Sequence, residues 1–204
     1  ELSKMIGYVF QNPFTQISGI KETVFEEIAY GLENFGVSVE EIEKRVIEVM
    51  KLTDTEELAM KNPYELSGGQ MQRVALASVI VLDPDVLIID EPTSQLDPQG
   101  TESVFAIIRK LKEQKKTIIL VEHKIDLIAE FTDRVVILKD GEVLKEGDTK
   151  SVLTDISLLE HGIAIPQIAQ LAIQLKEIGL PINSISVTED SLLAILKNLL
   201  GERG

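Results

Sequence analysis

The feature that most constrains this chain is a short run, Val86, Leu87, Ile88 and Ile89, followed directly by Asp90 and Glu91. Four apolar residues without alternation suit a parallel strand covered on both faces. Such a strand needs cover on each side, so the run implies an α/β sheet. Ligands of open α/β sheets sit beyond the carboxyl ends of the strands, and that is where the two carboxylates stand. Asp90 can hold Mg2+, directly or through water. Glu91, one residue further on, can point at an attacking water.

The run lies inside a longer ordered stretch, residues 66–97, which reads LSGGQMQRVALASVIVLDPDVLIIDEPTSQLD. Upstream of the strand, Gly68 and Gly69 lack a Cβ, so a ligand can approach the backbone closely. Ser67 and the unpaired N–H groups that open the next helix make an anion site. Downstream, Ser94, Gln95, Leu96 and Asp97 form a polar loop leading into Pro98. Taken singly, Ser-Gly-Gly is a turn or helix start, and an apolar run ending in Asp-Glu is a strand end. In this order and at this spacing they carry a joint signal.

The set resembles the ATP-binding cassette (ABC) ATPases, with residues 66–70 similar to the signature motif, 87–91 to Walker B and 94–97 to the D-loop. The resemblance implies an α/β fold: a P-loop NTPase (RecA-like) ABC ATPase core with a helical subdomain and a small C-terminal α-rich extension. It implies ATP and Mg2+ as cofactors. In such a family two cassettes sandwich two ATP molecules. Ser67, Gly68, Gly69 and Gln70 would act on the ATP held by the partner cassette, with Asp97 completing the nucleotide-binding set. Asp90, Glu91, Gln11 and His123 would act on the ATP held by their own chain. Asp90 and Gln11 would be the metal residues, and Glu91, His123 and Gln11 the catalytic ones.

Along the chain, residues 5–10 read as a short buried strand ended by Gln11, Asn12 and Pro13. By the resemblance Gln11 is the Q-loop glutamine; by residue type alone it is an ordinary strand exit with Pro13 as punctuation. From Thr15 to about Leu58 the pattern is mostly helical. Thr23 caps one helix with Ile28, Leu32 and Phe35 inward and Gly36 as its stop. Ser38 and Glu41 make a capping box for the next, whose stripe is Ile42, Val46 and Met50. The words QNPFTQ, TVFEEIAYGLENFGV and EEIEKRV narrow the resemblance to the ATPases of energy-coupling factor (ECF) transporters and the related cobalt and nickel importers.

After Asp97 a helix runs from Pro98 to about Gln114, capped by Asp97 and burying Val104, Ile107, Ile108 and Leu111. Residues 117–121, TIILV, form a second buried strand that leads to Glu122 and His123. By the resemblance His123 is the switch histidine near the γ-phosphate; by residue type alone it is a structural histidine at a helix start. His161 has no comparable setting and reads as a surface or packing residue. Asp140 and Gly141 between apolar runs mark a hairpin closed by Gly147. In the tail, residues 166–178 place Ile168, Leu171, Leu175 and Ile178 on one face, with Gly179 as the stop. Thr188 caps a final helix bearing Leu192, Leu193, Leu196, Leu199 and Leu200, followed by Gly201. These stripes either cover the cassette or make a subunit contact.

Domain expectations are 1–14 and 66–150 for the ATPase core, 15–65 for the helical subdomain and 151–204 for the extension. The absence of cysteine rules out a disulfide framework and Cys-ligated metal. No stretch of about 18 uncharged apolar residues occurs, so nothing reads as a membrane span. Thirty-four acidic residues against twenty basic ones give a net charge of -14, which argues against a nucleic-acid footprint or attachment through lipid charge. The expected partners are a second ABC ATPase subunit, identical or different, and a transmembrane transporter subunit, with no nucleic acid. The expected location is the cytoplasmic face of the cell membrane, peripheral through a protein partner.

No G-x-x-x-x-G-K-[ST] stretch occurs in the 204 residues, and Lys4 has no glycine-rich loop around it. The resemblance therefore extends over nearly all of this chain but only the latter part of a family member. Two explanations are open, that the upstream part is missing from this sequence or from the molecule, and the first is expected. The chain by itself is expected to be inactive, and the complete subunit to be an ATPase driving vitamin or metal-ion uptake. The alternatives are a non-transport ABC ATPase on chromosomes or ribosomes, or an inactive partner that only donates its signature motif.

Overall fold

The computed structural model describes residues 5–201, apart from the side chain of Leu200; Lys4 and the first three residues lie outside it. The chain divides into two compact units, Glu1–Val121 and Glu122–Gly204. Among the described residues no helix is long and apolar enough to cross a membrane.

The first unit holds a parallel three-stranded sheet of β1 (Ile6–Val9), β2 (Val86–Asp90) and β3 (Thr117–Val121), in that order. Its helices are α1 (Val24–Asn34), α2 (Val39–Thr53), α3 (Gly68–Ile80) and α4 (Pro98–Glu113). Helix α3 is the hub, packing on α1, α2, α4 and β1. Gly7 permits that last approach, because a Cβ there would meet Val79 Cγ1 at 2.5 Å. The helical core gathers Val24, Ile28, Leu32, Val46, Met50, Met71 and Val74.

Local signals account for the helix ends. Thr23 and Glu26 form a reciprocal capping box, and Gly36 follows α1 with φ of 71°. Ser38 caps α2, but the box is only half made, because Glu41 pairs with Arg45 at 2.7 Å instead of reaching back. The Ile42, Val46 and Met50 stripe is buried, while Phe35 stays partly outside as the C-cap residue of α1.

The sheet departs from the sequence reading in its cover. Gly7, Val9, Leu87 and Ile89 are buried on one face. On the other face Ile6 and Tyr8 are exposed, and Val86 and Ile88 are half-buried. Strand β3 is not buried either, with Ile119 51% exposed. An unbroken apolar run thus identifies a parallel strand here without both faces being covered in this structure.

In the second unit α5 (Ile125–Phe131) precedes the antiparallel pair β4 (Arg134–Lys139) and β5 (Glu142–Asp148). Asp140 and Gly141 make the turn with φ of 52° and 84°, the left-handed pair such hairpins need. Gly147 does not close the hairpin, since it pairs with Val135 inside β5. After α6 (Thr149–Leu153) come α7 (Gln167–Glu177) and α8 (Glu189–Gly201). The expected apolar stripes are met in part: Ile168, Leu175, Leu196 and Leu199 pack against the cluster of Ala172, Ile182 and Leu192. Ala169 and Ala172 are the fully buried residues of α7, while Leu171 and Ile178 are exposed. In α8 Leu192 is buried and Leu193 exposed, and Gly201 ends the helix instead of following it. Small side chains let α7 sit close to its neighbours, so the tail packs against β4, β5 and itself through Ile137, Leu144, Leu158, Ile165 and Ile182.

Candidate functional site

Strands β1 and β2 pair Tyr8 with Ile88 and Val9 with Ile89. That register brings the exit of β1 alongside the end of β2, so residues some 80 positions apart in sequence meet. Gln11 Nε2 donates to Glu91 Oε2 at 2.7 Å. Tyr8 Oη donates to Asp90 Oδ2 at 2.7 Å. Holding that proton against the Asp90 carboxylate raises the phenol's pKa above its ordinary value.

Glu91 sits at φ of 39°, a left-handed conformation that costs a non-glycine residue free energy. The kink follows directly on β2, whose ladder it leaves with its N–H still donating to Val121 O at 2.9 Å. Strand pairing thus carries the backbone one residue past Asp90 and then turns it. The two adjacent carboxylates accordingly have different partners, a phenol and an amide.

Residues 67–70 and Asp97 form a separate feature of the same unit. Ser67 caps α3, its Oγ accepting from Gln70 N at 3.4 Å, while Gln70 Oε1 accepts from Ser67 N at 3.0 Å. Asp97 caps α4 through Gly100 N at 2.7 Å. The two helix starts approach closely, and a Cβ on Gly69 would lie 3.7 Å from Gly100 Cα. A Cβ on Gly68 would meet nothing within 4 Å, so this backbone is open to a ligand. A cleft of about 460 Å3 is lined here by Ser67, Gly68, Gly69, Gln70, Asp97 and Gly100, among others. Two helix N-termini facing one cleft favour an anion.

His123 belongs to the second unit. Its N–H donates to Glu122 Oε1 at 3.1 Å and its Nδ1 lies 3.5 Å from the same oxygen. The His123 ring is 61% exposed and the Glu122 side chain fully buried. His161 ends a 3-10 turn and offers its carbonyl to Lys139 Nζ at 2.8 Å.

Two residues escaped the sequence reading. Tyr8 was legible only as one apolar position of a strand, although a hydroxyl on its outward face was a usable signal. Arg73, the only charged residue in α3, donates to Asp54 Oδ2 at 2.8 Å and to the Asp54 carbonyl. It ties α3 to the end of α2, where Asp54 adopts φ of 55°.

The donor set suits ATP with its metal. Among the described residues no group of three or more metal-ligating side chains occurs, so a protein cage for a metal is not built. One carboxylate with an amide nearby fits Mg2+ that arrives on a nucleotide and keeps phosphate and water ligands.

Comparison with known proteins gives the family. The family model described as ABC transporter matches residues 1–94. Energy-coupling factor transporter ATP-binding protein EcfA2 of Streptococcus pyogenes serotype M5 is 41% identical over 199 residues, covering 97% of this chain and 70% of that protein. Among solved structures, cbiO1 of Clostridium perfringens, part of the ABC transporter complex cbiONQ, superposes with a TM-score of 0.70 at 35% identity, covering 87% of this chain and 67% of that one. The ATP-binding cassette MJ0796, a dimer in a post-hydrolysis state with ADP and Pi, gives a TM-score of 0.62 at 35% identity, covering 72% and 64%. With near-complete coverage by a relative of this identity, the chain belongs to the ABC transporter ATPases, whose P-loop NTPase fold it shares.

Proposed function

We propose that this chain is the ATP-hydrolysing subunit of an ECF-type importer, coupling hydrolysis to uptake of a vitamin or metal ion. The single observation that carries the catalytic part is the Gln11–Glu91 hydrogen bond of 2.7 Å beside Asp90 at the end of a parallel strand. Similarity to EcfA2 and to cbiO1 supports the transport part.

In this reading Glu91 accepts a proton from the attacking water, and Gln11, already bonded to Oε2, orients both. Asp90 and Gln11 would hold Mg2+, which when bound neutralises charge on the phosphates. Ser67, Gly68, Gly69, Gln70 and Asp97 offer two helix starts to ATP held by a second cassette. His123 would serve the γ-phosphate end. Residues 1–14 and 66–150 form the ATPase core, 15–65 the helical subdomain and 151–204 an extension. In the complete subunit within its transporter, Glu91→Gln keeps ATP binding and lowers hydrolysis on the order of a hundredfold or more. Near-normal turnover, where only this chain's Glu91 can serve, defeats the assignment.

A transmembrane subunit docks on residues 11–27 at the cytoplasmic face. Exposed Phe14 and Ile20 in that segment support this. So does buried Glu27, which accepts from both Ser18 N and Ser18 Oγ at 2.7 Å and holds the segment on α1. Glu22→Lys together with Ile20→Asp lowers uptake per ATP hydrolysed. An unchanged ratio in reconstituted vesicles moves the docking surface elsewhere.

A further inference from the structure

Asp90 is a metal residue only if one of its oxygens is presented in a fixed direction. A carboxylate at a strand end turns easily about its last torsion, whose wells are broad. Nothing in β2 itself stops that rotation. The phenol of Tyr8 does. Tyr8 pairs with Ile88, so it lies on the same sheet face as Asp90, two residues further along β2. From there its hydroxyl reaches diagonally to Oδ2 at 2.7 Å. The Tyr8 ring also lies against Phe10, centroid to centroid 4.9 Å, so the donor is itself braced. A hydroxyl on a carboxylate is among the stronger protein hydrogen bonds.

We propose that Tyr8 is a positioning residue for metal binding: its hydroxyl pins Asp90 by Oδ2 and leaves Oδ1 for the nucleotide-borne cation or its water. The inference rests on the reading of Asp90 given above. The Asp90 carboxylate accepts no other hydrogen bond among the described residues, so Tyr8 is the side chain that sets its plane. Partners of this kind behind a metal residue are worth about tenfold or more in metal affinity.

The test uses the complete subunit with ATP and Mn2+ as a spectroscopic stand-in for Mg2+. Equilibrium ATP affinity is measured with Mn2+ and again in EDTA, and bound Mn2+ is read by electron paramagnetic resonance. In Tyr8→Phe the advantage that Mn2+ confers on ATP binding falls about tenfold, while affinity in EDTA stays that of the wild type. Tyr8→Leu, which removes the ring as well, gives the same shift if the hydroxyl is responsible. A wild-type-like Mn2+ advantage in both variants overturns the role of Tyr8. Parallel losses with Mn2+ and in EDTA also overturn it, because the effect is then not on the metal. If the wild type shows no Mn2+ advantage at all, the reading of Asp90 fails first and that of Tyr8 with it.

Discussion

The helical segment and the three-stranded sheet of the first unit are made from the same kinds of apolar residue but are closed to different degrees. In the helical segment the inward stripes of α1, α2 and α3 meet one another, and the buried polar groups Glu27 and Thr53 are bonded to Ser18 and to Val49 O. In the sheet, α3 covers one face and the other keeps Ile6, Tyr8 and Ile119 in contact with solvent. The residues of the proposed site follow that division. Asp90, Glu91, Gln11 and Tyr8 cluster where the strands end, and one of them, Glu91, occupies a strained backbone conformation. The helical segment contributes no such cluster, only the start of α3 with its capping box. The helices thus bury their inward stripes among themselves, and the strand ends carry the strained backbone and the long-range side-chain bonds.

The comparison is tested most severely by truncating its two faces. Ile89 is fully buried and Ile119 about half exposed, so in the complete subunit Ile89→Ala costs about 2–5 kcal/mol of unfolding free energy. Ile119→Ala costs less than about 1 kcal/mol on the same scale. Denaturant unfolding of both variants measures this. Equal losses would mean that the outer face is covered in the complete protein, and the contrast would disappear.

A smaller effect is expected from acid, in a region that belongs to neither. The Lys145 ammonium, with Ser157 behind it, lowers the Asp155 carboxyl from 3.8 to about 2. A depressed folded-state pKa means that this contribution is full above about pH 4 and is lost as pH falls through about 2. The pair links β5 to the turn after α6, so the hairpin unit loosens in that window. Backbone NMR across residues 145–157 follows it, and Asp155→Asn removes the pH dependence. A Lys145 environment that stays constant from pH 5 to about pH 2 would show that this ion pair holds nothing together.

Much of this molecule was legible in its residues, and the legible part is local. Thr23, Ser38, Ser67 and Asp97 announce helix starts because a cap bonds within three residues of itself. Asp140 and Gly141 announce a hairpin because few residues tolerate the required backbone. The helix start at Ser67 and the strand ending at Asp90 are found in three dimensions for the same reason: each is contained in one short segment. What tertiary structure decided lies between segments. The open outer face of the sheet depends on which elements pack there, and a hydrophobic run has the same spelling whether covered or not. In α7 Ile168 and Leu175 of the stripe pack inward beside fully buried Ala169 and Ala172, while Leu171 and Ile178 do not, because close packing rewards the small residue as much as the large one. The bonds Gln11–Glu91 and Tyr8–Asp90 depend on the parallel register of β1 with β2. That register is set by backbone pairing across some 80 residues, and no periodicity in either strand encodes it.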